Sequence, residues 1–368
     1  MLLKSSAKPR AIPGPAVGFI KGRGAITNAS GRYETHTIHA VDDGWESISP
    51  TIRTQWQDDK SKTIITRNRS PDIHFDRSVN PYRGCEHGCV YCFARPTHTW
   101  LGHSAGLDFE TRLYAKRNAA QLLTAELAKP AYRCEPIAIG VNTDAYQPLE
   151  KKLKITRQIL QVLHDANHPA YLITKSSLVE RDIDLLQAMA EKQLVSVCVS
   201  ITTLDRMLAR KLEPRATSPH RRLQTLEKLS KAGIPTRVSL SPVIPALNEE
   251  ELDDIVAAAA STGVAAAYAI ILRLPHELQT LFPEWLREHY PMRAERIIKA
   301  IRSLREDKLN NSDFSSRMIG SGPRAEIIAQ RFALACKRSG ISVGRDFQLD
   351  TSRFVPPRMD EQLPLFTL

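Results

Sequence analysis

The chain has 368 residues, 42% of them hydrophobic and 25% charged, which is ample material for one large folded unit with extensions or for two ordinary domains. Six cysteines are too few for a disulfide scaffold at this length, and MLLKSSAKPRAIPGPAVGF holds no apolar run of signal-peptide length, so thiols in a reducing cytoplasm are expected. A net charge of +11 favours polyanionic partners such as nucleic acid, although a basic enzyme would carry the same surplus.

Residues 1–75 read as an irregular basic extension, with Pro9, Pro13 and Pro15 followed by GRGAITNASGRYE, and with six Lys or Arg against one Glu in residues 1–41. From residue 76 to 275 apolar strand-like runs recur at IAIGV (137–141), YLIT (171–174), VSVCVSI (195–201), TRVSLSPVI (236–244) and VAAAYAIIL (264–272). Helical patterns separate them. Ile155, Ile159, Val162 and Leu163 predict a helix over 151–166, and Ser218, Pro219 and Gly233 bracket another over 218–232. The uncharged stretch Ile255–Leu272 approaches membrane-span length, but its alanines and the interrupting Ser261-Thr262-Gly263 make it a helix, a stop and a buried strand. Strands alternating with helices predict an α/β fold with a parallel sheet. With a first strand leading into Cys85, about six units result, short of an eightfold barrel. Residues 276–347 read as a helical C-terminal region, with helices at 277–306 and 323–339, and residues 348–368 as a flexible polar tail.

Half of the cysteines, Cys85, Cys89 and Cys92, fall within RGCEHGCVYC. Three thiolates on one tight loop can hold three irons of a 4Fe–4S cube and leave the fourth iron to an exogenous ligand. Gly84 and Gly88 let such a loop curl without Cβ clashes. The alternative is a zinc site completed by His87, His98 or His103, although zinc sites usually come as paired C-x2-C halves.

The C-x3-C-x2-C spacing, with aromatic Tyr91 before the last cysteine, resembles the signature of the radical S-adenosylmethionine superfamily. Within it the chain is similar to spore photoproduct lyase and the related DNA repair photolyases over about residues 78–275. The stretches that carry this likeness are NPYRGCEHGCVYCFAR, TDAYQPLE (143–150), LITKS (172–176), KLEPRATSPHRRL (211–223) and AGIPTRVSLSPVIPALNEEE (232–251). The resemblance implies a partial (β/α)6 barrel, a 4Fe–4S cluster held by Cys85, Cys89 and Cys92, and S-adenosylmethionine chelating the open iron through its amino and carboxylate groups. It also implies that Tyr91 lies near the adenine and that Asp144, Lys175 and Ser200, at strand C-terminal ends, meet the methionyl or ribose groups, with Glu213 and Arg222 further cofactor contacts. Read without the resemblance, Asp144 caps a helix near Pro148, Lys175 is solvated and Glu213 ends a surface helix. The implied activity is formation of a 5′-deoxyadenosyl radical, with an electron from a donor such as flavodoxin or ferredoxin and a nucleic-acid substrate in a repair context. A zinc-stabilised nucleic-acid-binding protein without turnover, and a radical enzyme with a protein or small-molecule substrate, are the alternatives.

One position departs from the lyase pattern. Asn142 stands where spore photoproduct lyase has the cysteine that returns a hydrogen atom to the product radical, and an amide is a poor hydrogen-atom donor. Cys134 precedes its strand and so falls at the opposite end of the barrel, while Cys134, Cys198 and Cys336 read as buried small hydrophobes.

The tail ends in QLPLF, Gln362 to Phe366, which resembles the pentapeptide that docks bacterial replication and repair proteins on the DNA polymerase sliding clamp. An extended tail can place Leu363, Leu365 and Phe366 against an apolar groove, with Gln362 bonded at its rim; a short apolar tail folded back onto the barrel is the alternative. Clamp binding is expected at roughly micromolar affinity, as for short motifs ordered on binding. Deleting residues 362–368 should abolish it in a calorimetric titration and leave iron content unchanged. Absence of binding by the intact chain at tens of micromolar would show the tail to be structural.

Overall fold

The computed structural model describes residues 20–34, 52–344 and 348–358. Its strands in chain order are β1 (Gln55–Asp58), β2 (Ile65–Arg67), β3 (Arg77–Val79), β4 (Tyr82–Arg83), β5 (Arg112–Ala115), β6 (Ile137–Ile139), β7 (Ala170–Thr174), β8 (Val195–Ser200), β9 (Thr236–Val243), β10 (Ala266–Ile271) and β11 (Ser342–Val343). Eight of them form one sheet in the order β11-β10-β9-β8-β7-β6-β3-β2. All its pairings are parallel except β2 against β3. The strand run from β3 through β10 is the six-strand parallel set of a partial (β/α)6 barrel, as expected. A small second sheet, β1-β5-β4, stands beside it.

The strands are largely buried on both faces because helices cover one side and a cavity-lining layer the other; all six residues of β8 are buried. Helix Ile155–Asp165 turns Ile155, Ile159, Leu160 and Leu163 inward, and helix Pro219–Lys231 buries Arg222, Leu226 and Leu229. Ser218 occupies the N-cap position of the latter without a side-chain capping bond. The helix expected over 151–166 is two pieces, because Lys154 adopts φ +54° between Glu150–Leu153 and Ile155–Asp165. Ile255–Leu272 divides as expected, with helix Leu252–Ala260 ending before β10, and no helix among the described residues is long and apolar enough to cross a membrane.

Several described segments near the ends of the chain pack more closely than their composition suggests. Residues 20–34 pack on the cysteine loop, and β1 and β2 fall within the stretch read as irregular. Short polar segments such as QWQD give weak strand patterns; β1 is fixed by pairing with β5, distant in sequence. Within the C-terminal region, helices Leu278–His289, Ala294–Ser303 and Pro323–Arg338 are followed by β11, which adds to the edge of β10. Phe282, Trp285, Ile297 and Ile301 join a second apolar cluster with Val90 and Tyr91, so this region props the cysteine loop. The tail was expected to be free, yet Phe354 packs on Tyr132 and His168, and the N–H of Val355 donates to Ala166 O at 2.9 Å. QLPLF lies outside the described residues.

Candidate active site

The cysteine loop connects β4 to the rest of the first βα unit and is held by backbone bonds on several sides. Cys85 N–H donates to Phe109 O at 2.9 Å, Val90 N–H to Leu212 O at 3.1 Å and Cys92 N–H to Cys89 O at 3.2 Å. Gln147, fully buried, accepts from Glu86 N–H at 2.9 Å and donates to Gly84 O at 3.2 Å. The decisive support is an ion pair. Arg95, wholly buried, donates to the carbonyls of Cys89 (2.8 Å), Gly88 (3.2 Å), Ala105 (3.0 Å) and Gly106 (2.9 Å) and pairs with the equally buried Glu110. Glu110 also accepts the N–H groups of Gly24 at 2.9 Å and Ala25 at 2.8 Å. The GRGA stretch is thereby bonded to the back of the loop. A Cβ on Gly24 would stand 1.8 Å from Gly88 O, so the approach requires glycine there, and Gly88 itself has φ +68°.

The loop faces a cavity of about 240 Å³ at the C-terminal ends of the parallel strands, and the three cysteines line it. Tyr91, Asp144, Lys175 and Ser200 line it too. Burial pushes the thiols of Cys85, Cys89 and Cys92 above their ordinary range, and neighbouring acidic groups add to the effect at Cys85 and Cys89. Asp144 is occupied by protein donors: Thr174 Oγ1 and Tyr146 N–H at 2.8 Å, and Lys175 N–H at 2.7 Å. Burial pushes its carboxyl up, but His87, with Nδ1 at 3.3 Å and off the hydrogen-bonding line, and these N–H groups outweigh it and hold the value at about 2. Asp144 thus ties the ends of β6 and β7 together while bordering the cavity. It does not cap a helix near Pro148.

Glu213 and Arg222 sit one layer behind the wall and are not among the lining residues. Their buried pair anchors Tyr91, whose hydroxyl donates to Glu213, and Thr202 Oγ1 donates to Glu213 at 2.7 Å. Burial raises the Glu213 carboxyl, and Arg222 and Lys175 more than reverse this, to about 2. The Lys175 ammonium lies 5.9 Å from the Tyr91 ring centre. Asn142 lines the cavity. Cys198 and Cys336 are buried, Cys198 donating to Tyr268 Oη at 3.5 Å, whereas Cys134 is only partly buried and lies before β6, away from the cavity. Of the histidines weighed as zinc ligands, His98 bonds Arg112 O at 2.9 Å and His103 bonds Tyr114 at 2.7 Å; only His87 reaches the cavity. Glu110, Gly24, Gln147 and Thr202 escape sequence reasoning, because each acts through a partner far along the chain.

The family model of the radical SAM superfamily matches residues 79–259, from β3 to the helix before β10. The chain belongs to the radical SAM superfamily. An uncharacterized protein of Mycobacterium tuberculosis is 36% identical over 221 residues, 60% of this chain and 65% of that relative, so the chain spans somewhat less than two thirds of its length. An uncharacterized protein of Methanocaldococcus jannaschii is 30% identical over 192 residues, 52% of this chain and 69% of the relative. Spore photoproduct lyase complexed with dinucleoside spore photoproduct superposes with a TM-score of 0.54 at 14% identity, covering 78% of this chain and 80% of that one, which shows a shared fold.

Radical SAM membership implies S-adenosylmethionine and a 4Fe–4S cluster, and the donor set suits the cluster. Three thiols on one loop border one cavity, as a three-cysteine ligand set requires. Thiols raised by burial need a bound cation to become thiolates, which irons supply. Cys85→Ala, Cys89→Ala and Cys92→Ala should each lose the iron, about four per chain in the intact protein, while changes at Cys134, Cys198 or Cys336 should not. A full iron complement in Cys89→Ala would refute the ligand set. Arg95→Met leaves Glu110 charged, buried and unpaired, and should destabilise the chain by about 3–5 kcal/mol in denaturant titrations. A loss under 1 kcal/mol, on the order of a surface pair, would show that the loop is held otherwise.

Proposed function

We propose that this protein is a radical S-adenosylmethionine enzyme acting on nucleic acid in a repair context, in a reducing compartment. The observation that carries the reading is the placement of three cysteines on a rigid loop facing one cavity at the C-terminal ends of six parallel strands. Held by Cys85, Cys89 and Cys92, a 4Fe–4S cluster would supply one-electron reduction of bound S-adenosylmethionine, and with it radical chemistry able to take hydrogen from a substrate.

The chain's own residues bind and orient. Cys85, Cys89 and Cys92 would ligate three irons. Tyr91, fixed by Glu213 and Thr202, presents a rigid ring at the wall, and Lys175 offers a cation suited to the methionyl carboxylate. Asp144 and Ser200 border the same space. Apolar Ile73, Phe75, Ile270 and Leu272 line the same space. The nucleic-acid assignment is supported by the charge of +11 and by the fold shared with a lyase whose complex holds a dinucleoside photoproduct.

Anaerobically reconstituted protein should be brown, absorb near ~400 nm as 4Fe–4S proteins do, and form 5′-deoxyadenosine from S-adenosylmethionine with dithionite. A colourless zinc protein with no 5′-deoxyadenosine would overturn the reading. Because Asn142 borders the cavity where the lyase pattern has a cysteine, little clean reversal of spore photoproduct to two thymines is expected. Efficient repair with recycling of S-adenosylmethionine would show that another residue donates hydrogen.

A further inference from the structure

Three guanidinium groups meet where β10 ends, and one carboxylate accompanies them. Arg317 is forked onto Asp72, Nε at 2.5 Å and Nη2 at 2.6 Å. Arg305, 1% exposed, gives its Nη atoms to the carbonyls of Ser316 (3.0 Å) and Leu272 (2.8 Å), and its Nε is buried without a partner. Arg273 borders the cavity itself. Its Nη1 reaches only the Met318 sulfur, at 3.6 Å, a weak acceptor, and its Nε is also buried and unpartnered. Among the described residues no carboxylate pairs with Arg273 or Arg305. Burial and the neighbouring Arg317 push the Arg273 guanidinium below its ordinary range, and burial and Arg273 lower Arg305 to about 10.

A cationic cluster short of carboxylates, with hydrogen-bond donors unused, needs an anion to offset its desolvation. The surroundings describe what that anion is attached to. Arg273 lies 5.7 Å from the ring centre of Phe93, a residue that is 47% exposed beside Cys92, and Phe75, His74 and Tyr268 line the same cavity. Flat apolar rings beside a forked donor suit a planar group carrying an oxyanion. We propose that Arg273 is a substrate-binding residue whose guanidinium holds a phosphate ester of the substrate at the mouth of the cavity, with Arg305 and Arg317 supplying the surrounding positive field. This deepens the nucleic-acid reading above and rests on it for the identity of the substrate, not for the existence of the anion site.

The test uses reconstituted holoprotein with S-adenosylmethionine, in anaerobic equilibrium dialysis against thymidine, thymidine 5′-monophosphate, the dinucleoside monophosphate TpT, and benzoate. A phosphate probe should bind at least about tenfold more tightly than thymidine, as a hydrogen-bonded charged contact provides. Preference for the monophosphate alone identifies a terminal monoester, and preference for TpT alone an internal diester; either supports the proposal. Arg273→Gln should erase the preference while thymidine binding, iron content and the change in the cluster's EPR signal on adding S-adenosylmethionine persist; Arg273→Lys, keeping the charge but not the fork, should fall between. The proposal is overturned if wild type shows no phosphate preference, if benzoate gains as much as the phosphates, if Arg273→Gln keeps the preference, or if it loses the EPR response, which would assign Arg273 to the cofactor. Failure to form 5′-deoxyadenosine with phosphate preference intact would instead sink the radical reading and leave the anion site standing.

Discussion

The arrangement of the site depends on one buried ion pair, Arg95 with Glu110. A loop carrying three cysteines in eight positions has no regular structure to hold its backbone, and its apolar contacts through Val90 and Tyr91 do not satisfy its carbonyls. Arg95 collects four carbonyls from the loop and the segment beyond it, and Glu110 collects two N–H groups from the chain's N-terminal part. Each ion is buried at a desolvation penalty of several kcal/mol, which only a full set of partners offsets. Because every one of these bonds ends on backbone, the pair fixes where the chain runs, and the directions of the three thiols follow.

The barrel imposes a second constraint. Its sheet stays open, with β2 at one edge and β10 with β11 at the other. The Asp72–Arg317 fork joins the loop before β3 to the segment after β10, two places 245 residues apart, and so spans the two edges beside the cavity. Ile73 and His74 from the first segment and Met318 from the second form wall where further strands would stand in a closed barrel. The opening is bridged by side chains rather than by backbone pairing, and Arg317 of the arginine cluster forms that bridge.

How much of this could be read from the sequence depends on the range of the interaction. The cysteine spacing is local, so the loop and the facing of its three cysteines onto one cavity were legible. The strands β7, β8 and β9 were legible because burial on both faces keeps them rich in apolar residues, and Asp144, Lys175 and Ser200, named by the resemblance, all border the cavity. β1 and β2 were not, since QWQD and ITR carry no pattern apart from their partners. Glu110 and Gly24 were silent for the same reason: a glutamate in DFETR and a glycine in KGRGA acquire meaning only when 86 residues of chain bring them together. The docking of Phe354 was hidden in a stretch whose prolines suggested an unattached tail.

Glu213 and Arg222 are connected to the site through another residue rather than by bordering the cavity. They were expected as cofactor contacts; in the structure they pair with each other behind the cavity wall, and Glu213 also accepts the Tyr91 hydroxyl. Arg222 also donates to Ser200 O at 2.8 Å, so one guanidinium links the end of β8 to the aromatic ring beside Cys92. Asp144 does the same for β6 and β7. A charged group satisfied in this way cannot also rearrange around a ligand without breaking its own bonds. The wall beside the cysteines is therefore a preformed surface, whereas Arg273, with donors still unused, is on the part of the cavity that is incomplete without a guest.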